Sequence, residues 1–272
     1  MRCCRVAYSS IPKQYRDYFS KPTLQINEFF MSFHQSATAS HHCSMPTNQI
    51  SNPQNNPQPN DSYPPKDMED ITHFLLELDA LKHVNRRNYI THHVDTDTDT
   101  DTDADVDELR VENSAEHSWH LAMACWSIAE AFELEVNHEQ LLKMALIHDL
   151  GEIDAGDTFL YADTRQDAHI KERDGIARLQ SERGNGIADL SKIWEEQETG
   201  DSAETQLLKV VDRLLPFLLN LNTEGKTWRE LGVTRSQVAG AHAFIQDSFA
   251  PIHKWLSHNI DYATQQGWLI DK

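Results

Sequence analysis

The chain has 272 residues, of which 39% are hydrophobic, and its formal net charge is −19 at pH 7. So acidic a chain is not expected to bind nucleic acid or an anionic membrane, because like charges repel. No apolar run approaches the roughly 18 residues of a membrane span, and the N-terminus lacks the apolar core of a signal peptide. The four cysteines form neither a disulfide framework nor a CxxC pair, which favours a reducing, cytoplasmic location.

The first quarter of the chain differs in composition from the rest. Residues 48–65 consist mainly of Asn, Gln, Pro and Ser and offer almost nothing to bury. We therefore predict a disordered polar leader over residues 1–67. Two explanations for it stay open: a transit peptide, since residues 1–22 carry several basic side chains, or a misassigned start codon, with the working protein beginning near Met68.

Helical periodicity begins at Met68 and continues towards the C-terminus. Asn113 with Glu116, and Asn137 with Gln140, have the spacing of helix N-caps. Further helices are predicted over residues 165–183, 187–198, 202–222 and 228–268. Without a convincing strand, residues 68–272 are predicted to form one all-α domain, a bundle of roughly seven helices around one core.

The helix that starts at Asn113 carries both apolar residues and a histidine. Its predicted buried face consists of Trp119, Ala122, Met123, Trp126, Ala129 and Phe132. His117 lies in the first turn, close to that face. A lone histidine there is more often a packed core or cap residue than a metal ligand, so His117 alone is ambiguous.

An acidic run separates the first two predicted helices. Aspartate occupies every second position from Asp95 to Asp107, mostly alternating with threonine. Like charges repel and there is no apolar face to bury, so we predict an extended, solvated loop. Calcium binding is the alternative, but the EF-hand loop requires a glycine, which this run lacks.

The stretch from Leu146 to Glu152 places ionisable groups at the end of an apolar helix. His148 and Asp149 are adjacent, and Glu152 follows four residues after the histidine, so a helix would bring His148 and Glu152 to one face. An imidazole beside carboxylates suits a divalent cation. We interpret His117, His148, Asp149 and Asp212 as ligands of one metal ion, with Glu152 acting on a water beside it.

Asp212 interrupts the apolar surface of the helix predicted over 202–222, for which Asp201 and Glu204 have capping-box spacing. A buried carboxylate without a partner costs several kcal/mol. Asp212 must therefore face solvent, pair with Arg213 or another base, or bind a metal. Pro216 cannot donate to the carbonyl of Asp212, so a kink is expected at this turn.

Two adjacent arginines, Arg86 and Arg87, follow the first predicted helix. They could clamp a phosphate together. The alternative is a solvated helix end, where basic side chains lie near the negative end of the helix dipole.

These residues together resemble the HD-domain metal-dependent phosphohydrolases, whose name refers to a histidine, a His-Asp pair and a distant aspartate that bind a metal within a helical bundle. The ordered set resembles the bacterial 5′-deoxynucleotidase branch (YfbR-like) in particular. It comprises Leu81 to Arg86, Glu112 to His117, and His148 to Asp157, with Asp212 in Val211-Asp212-Arg213-Leu214. The resemblance covers the chain from about Met68 onwards.

The resemblance implies roles for individual residues. Arg86 would hold the substrate phosphate, with Arg110 close enough to help, and Glu152 would orient or deprotonate the attacking water. Asp157 would contact the sugar or assist catalysis. Arg87 stands where the resembling enzymes have a tryptophan that helps to select deoxyribose, so the sugar preference of this chain is open.

The expected function is therefore a metal-dependent 5′-nucleotidase that removes phosphate from (deoxy)nucleoside 5′-monophosphates. The mixed nitrogen and oxygen ligands would accept Mn²⁺, Co²⁺, Zn²⁺ or Mg²⁺. The alternatives are hydrolysis of another phosphoester or an alarmone-type nucleotide, a non-catalytic nucleotide-sensing module, and an interaction protein that acts through the leader and the acidic run. The resembling proteins tend to be dimers, so a homodimer is expected.

Overall fold

A computed structural model of the chain describes residues 67–90, 109–161 and 165–272. The predicted leader, apart from Asp67, and the acidic run 95–107 lie outside these residues. The first described helix begins at Met68, and the side chain of Asp67 accepts a hydrogen bond from the amide of Glu69 as its N-cap.

Helices dominate the described part of the chain, which confirms the all-helical class. They are α1 (Met68–Asp79, continued by a 3₁₀ turn over Ala80–His83), α2 (Ser114–Ala131), α3 (His138–Ile147), α4 (Glu152–Ala155), α5 (Arg165–Ser181), α6 (Leu190–Thr199), α7 (Ala203–Asn222), α8 (Lys226–Leu231), α9 (Arg235–His242), α10 (Ile245–Ser248) and α11 (Ala250–Gln265). Three of these helices, α4, α8 and α10, have six residues or fewer. They were not predicted as separate helices, because so few residues show no clear helical period. None of the helices in the described ranges is both long and apolar enough to cross a membrane.

A short antiparallel ribbon, which the sequence analysis did not predict, joins the first two helices. Strand β1 (Asn85–Tyr89) pairs with β2 (Val111–Asn113), with Asn85 opposite Asn113 and Tyr89 opposite Val111. The amide of Ser114 also donates to the carbonyl of Val84, 2.9 Å away. The ribbon therefore fixes the residues around Arg86 beside the start of α2.

The helix caps follow local sequence closely. Asn113 and Glu116 form the predicted capping box of α2, and the side chain of Asn137 accepts from the amide of Gln140 at the start of α3. The predicted cap of α7 is wrong by one residue. Ser202, and not Asp201, is the N-cap, and it accepts from the amide of Thr205.

Three groups of buried apolar side chains fill the described structure. The first lies between α2, α3 and α7, the second between α7 and the C-terminal helices, and the third between α1, α5, α6 and the end of α3. Helix α7 contributes to two of them, Val211 to the first and Phe217 to the second. Asp212 thus lies on a helix that packs against other helices on two sides.

The predicted buried face of α2 is partly wrong. Trp119 is 65% exposed and Trp126 is 46% exposed, and Met123 is also exposed, whereas Ala122 and Ala129 are buried as expected. The inner face instead carries the small, polar and apolar residues Ser114, His117, Ser118, Leu121 and Cys125. Pattern analysis favours large apolar side chains, but this helix turns its histidine and serines inwards.

Candidate active site

Three separate elements supply the four predicted metal ligands. His117 comes from the first turn of α2, His148 and Asp149 from the turn after α3, and Asp212 from the middle of α7. His117 Nε2 lies 3.1 Å from Asp212 Oδ1, and His148 Nε2 lies 3.0 Å from Asp149 Oδ1 and 3.8 Å from Asp212 Oδ1. The structure therefore brings all four side chains to one point.

The orientation of His148 is fixed by its surroundings. Its Nδ1 lies 2.9 Å from the carbonyl of Ala145, and Trp194 Nε1 donates to the carbonyl of His148 itself. A ring that donates from Nδ1 to a carbonyl presents its Nε2 lone pair as a ligand. Helix α3 ends at Ile147, so His148 and Glu152 are not on one continuous helix as predicted, although both line the same cavity.

The donor set fits a metal ion. His117, His148 and Asp149 offer one ligand atom each, all within 4.8 Å of one another, and Asp212 adds a second carboxylate. His148 Nε2 is a buried nitrogen that lies 3.0 Å from Asp149 Oδ1 but has no partner with hydrogen-bond geometry among the described residues, and native proteins seldom leave such an atom unsatisfied. Two imidazoles and two carboxylates match the ligand preferences of first-row divalent cations and tolerate magnesium.

The charges of the site perturb its pKa values in opposite directions. Burial alone would raise the pKa of Asp149, but His148 and Arg86 outweigh it and lower that pKa to about 2. Burial works against a charged His148, yet the adjacent carboxylates raise its pKa to about 9. For Asp212, burial is likewise outweighed, by Arg213 and by the hydrogen bond with His117, so its pKa lies well below the usual range.

The two predicted phosphate-binding arginines differ in exposure. They occupy successive positions of β1, whose side chains alternate between faces, so Arg86 is turned inwards and Arg87 outwards. Arg86 Nη1 donates to Asp149 Oδ2 over 2.6 Å. Although burial opposes the charge, four carboxylates around Arg86 raise its pKa above the usual value. The alternative of a solvated helix end is wrong for Arg86.

Glu152 and Asp157 flank the ligand cluster. Glu152 begins α4 and accepts a hydrogen bond of 2.6 Å from Ser114 Oγ, and burial and the charge of Asp149 raise its pKa to about 9. Gly156 ends α4 with a φ of 76°, a backbone conformation that glycine adopts most easily, and Asp157 is the next residue. Burial raises the pKa of Asp157 above its usual value as well, although Arg86 works in the other direction.

A cavity of about 330 Å³ opens beside the cluster. Six of the site residues predicted from the sequence line it: Arg86, His148, Asp149, Glu152, Asp157 and Asp212. A smaller cavity of about 50 Å³ shares Arg86 and Asp157 with it and is lined also by Arg87 and Tyr161. The larger volume lies in the range of small-molecule sites, and carboxylates and basic groups converge on it.

Arg110 does not lie where it was expected, and several residues that line the larger cavity were not predicted. Arg110 lies on the surface, bonded through both terminal nitrogens to Glu116, and it does not line either cavity. Other lining residues of the larger cavity come from α5, α6 and α7 and include His169, Glu172, Gln197, Glu198 and Lys209. These residues had no sequence signal, because their common location depends on how three helices pack. Ser114 could have been found, since it lies within the Glu112–His117 segment.

A helical bundle that gathers two histidines and two aspartates around one point, beside a buried arginine, defines a candidate metal-dependent phosphoester site. The sequence model of the HD domain matches residues 78–253, and the chain belongs to this family. A crystal structure of a "predicted metal-dependent phosphohydrolase" from Magnetospirillum magnetotacticum MS-1 is 32% identical, with a TM-score of 0.61, and the alignment covers 75% of this chain and 99% of that one.

Two curated relatives carry a more specific name. The 5′-deoxynucleotidase HDDC2 of Danio rerio is 26% identical over 150 residues, which cover 54% of this chain and 66% of the relative. The 5′-deoxynucleotidase HDDC2 of Homo sapiens is 24% identical over 146 residues, covering 53% of this chain and 63% of the relative. The chain thus spans slightly less than two thirds of the length of these curated relatives.

Proposed function

We propose that this chain is a metal-dependent phosphohydrolase that removes the phosphate from nucleoside 5′-monophosphates, with deoxynucleotides as the first candidates. The observation that carries the proposal is the position of Arg86, a buried cation within a cluster of metal-type ligands and at the wall of a cavity. The names of the curated relatives support the same substrate class.

His117, His148, Asp149 and Asp212 would hold one divalent ion. Such an ion supplies a Lewis acid that polarises a phosphoryl oxygen and lowers the pKa of a bound water. Manganese, cobalt, zinc and magnesium all remain candidates. The adjacent carboxylates raise the pKa of His148, and a histidine must be neutral to bind a metal, so metal binding would compete with protonation of His148.

Arg86 is suited to hold the phosphate. A guanidinium matches two phosphate oxygens in a planar fork and keeps its charge at every accessible pH. Asp149 accepts a hydrogen bond from its Nη1, which would hold the guanidinium in place before substrate binds. Little covalent chemistry is required of the protein in phosphoryl transfer, and a fixed cation contributes by stabilising negative charge.

Glu152 is our candidate for moving the proton of the attacking water. Its carboxylate lines the cavity, and Ser114 Oγ fixes one of its oxygens. Because burial and Asp149 raise the pKa of Glu152 to about 9, a bound divalent cation would have to lower that pKa before the group could accept the proton. Asp157 lines both cavities, which supports a contact with the sugar or a second role in catalysis.

Arg87 is our candidate for affecting the choice of sugar. It lines the small cavity beside Asp157, and it stands where the resembling enzymes have a tryptophan. A charged, flexible side chain restricts this position less than a rigid indole ring would. We therefore propose a weaker discrimination against ribonucleotides than in the resembling enzymes. The expected cytoplasmic location and homodimer remain predictions.

Phosphate release by the full chain tests the proposal. Ribo- and deoxynucleoside 5′-monophosphates, a 3′-monophosphate, a sugar phosphate and a nucleotide pyrophosphate would be assayed with each of the four metals. Release from 5′-monophosphates above the others supports the nucleotidase. Preference for another phosphoester, or binding of nucleotides without release by any metal form, would contradict it in favour of a different hydrolase or a sensor.

A further inference from the structure

Glu112 is a buried carboxylate that the proposed mechanism does not use. It is the middle residue of β2 and is only 2% exposed. Its Oε2 has no hydrogen-bond partner among the residues that the structure describes. Burying a carboxylate costs free energy unless nearby donors or cations compensate for the charge, so the groups around Glu112 indicate its role.

Two site residues direct unpaired nitrogens at this carboxylate. His117 Nδ1 lies 3.4 Å from Glu112 Oε2, and Arg86 Nε lies 3.7 Å from the same oxygen. Both nitrogens are themselves buried, and within the described ranges neither has a hydrogen-bond partner. Both separations are longer than the usual hydrogen-bond distance, so the three atoms lie close together with their hydrogen-bonding capacity unused.

The contact with His117 has a chemical consequence. On its other side, His117 Nε2 lies 3.1 Å from Asp212 Oδ1, in the ligand cluster. A neutral imidazole that gives its Nε2 lone pair to a metal must carry its proton on Nδ1. Glu112 is placed to accept that proton in a hydrogen bond, which would select the ligand tautomer and fix the ring plane.

The contact with Arg86 extends the effect to the substrate side. Asp149 already holds Nη1 of Arg86, and Glu112 faces Nε at the other end of the guanidinium. Two carboxylates at different nitrogens fix the plane of the group, while Nη2 and the second N–H of Nη1 stay available to a phosphate. Resting on the proposed function, we propose that Glu112 is a positioning residue that orients both the metal ligand His117 and the phosphate-binding Arg86.

Two substitutions at this position separate positioning from simple packing. Glu112→Gln keeps the shape but removes the charge, and Glu112→Asp keeps the charge but withdraws it by one methylene. Glu116→Gln is the matched control, since Glu116 lies on the same segment but bonds to the exposed Arg110. The full chain would be used in every case.

Metal affinity is the first readout, measured without substrate by competition with a chelator. We expect both Glu112 variants to bind Mn²⁺ or Co²⁺ about 10–100-fold more weakly, and Glu116→Gln to bind like the wild type. At saturating metal, the KM for the nucleotide should rise in the Glu112 variants more than kcat falls. A purely structural role would lower Tm and leave metal affinity unchanged.

The outcomes distinguish this inference from the proposed function. If the wild type binds metal but hydrolyses no nucleotide, the proposed substrate is wrong, and the comparison of metal affinities still decides the effect of Glu112 on His117. Folded Glu112 variants whose metal dissociation constants stay within about twofold of the wild type would overturn the inference. Should Glu112→Gln fail to fold, Glu112→Asp is decisive by the same criterion.

Discussion

Arg86 and Asp149 are bonded to each other across the site, with 2.6 Å between Nη1 and Oδ2. Asp149 turns its other oxygen towards His148, 3.0 Å from Nε2. One carboxylate thus contacts both the proposed phosphate-binding cation and the ligand cluster. The proposed phosphate-binding group and the proposed metal ligands are therefore connected through the side chain of Asp149. This connection governs how substitutions at Arg86 or Asp149 should behave.

Replacing the two arginines should separate phosphate binding from sugar choice. Arg86→Ala removes a buried, charge-assisted contact, so kcat/KM should fall about 10–100-fold or more, and Asp149 loses its partner. Arg87→Trp should instead raise the ratio of deoxy- to ribonucleotide turnover. Steady-state kinetics on matched deoxy and ribo substrates measures both, with Arg110→Ala as a control for loss of a surface arginine. Equal effects of Arg86→Ala and Arg110→Ala would contradict the assignment.

Asp149→Asn should remove metal and activity together. The substitution keeps the shape but replaces an anionic ligand by a neutral amide, which binds divalent cations more weakly. Metal content after dialysis, measured by mass spectrometry, checks this. Asp154→Asn is the matched control, because Asp154 pairs with Arg178 outside the ligand cluster. Full metal occupancy in Asp149→Asn would eliminate Asp149 as a ligand.

Glu152→Gln should leave the metal bound and slow the reaction. If Glu152 accepts the proton of the attacking water, kcat should fall by about 10²-fold or more, while metal affinity changes little. Ser114→Ala should cause a smaller loss, since it removes only the hydrogen bond that fixes Glu152. Stopped assays at saturating metal and substrate measure this effect. Turnover near the wild-type value in Glu152→Gln would remove this residue from the proposed mechanism.

His242 should make stability fall as the solution becomes acidic. It is buried, with Nδ1 2.7 Å from the carbonyl of Val238, and burial lowers its pKa despite the backbone hydrogen bonds. The unfolded chain therefore binds more protons than the folded one once the pH drops below the unfolded value of about 6.5. This contribution destabilises the protein progressively from there down to the lowered folded pKa.

Thermal melts at pH 7 and pH 5 would test this effect. His242→Gln should show a smaller decrease in Tm between the two pH values than the wild type, because the titrating group is gone. His258→Gln, a change at an exposed histidine, serves as the control. An unchanged difference in Tm for His242→Gln would show that His242 does not contribute to the acid sensitivity.

Local patterns predicted much of the fold and the centre of the site. The capping residues Asn113 and Asn137 depend on neighbours three positions away, so the sequence alone identifies them. His148, Asp149 and Glu152 lie within five residues of one another, and the resemblance supplied the distant His117 and Asp212. These features could be predicted because each depends on residues close together in the sequence or matches a pattern of the resembling family.

Features that depend on distant contacts were missed. Strand β1 pairs with a segment more than 20 residues later, and the polar sequence around Asn85 gives no strand period. The exposed Trp119 and Trp126 show that the inner face of α2 is set by the site and not by hydrophobicity alone. Glu112 was recognised only as the first residue of the Glu112 to His117 segment, and no role was predicted for it because its burial is not visible in the sequence.

The most direct test of the account is a metal titration of phosphate release. The full chain, stripped of metal by a chelator and then freed of the chelator, would be assayed with a deoxynucleoside 5′-monophosphate while Mn²⁺ or Co²⁺ is added. We predict negligible release at the start, and release that rises with bound metal and stays absent in Asp149→Asn. Undiminished release from the metal-free chain, or from Asp149→Asn, would contradict the proposed metal-dependent mechanism.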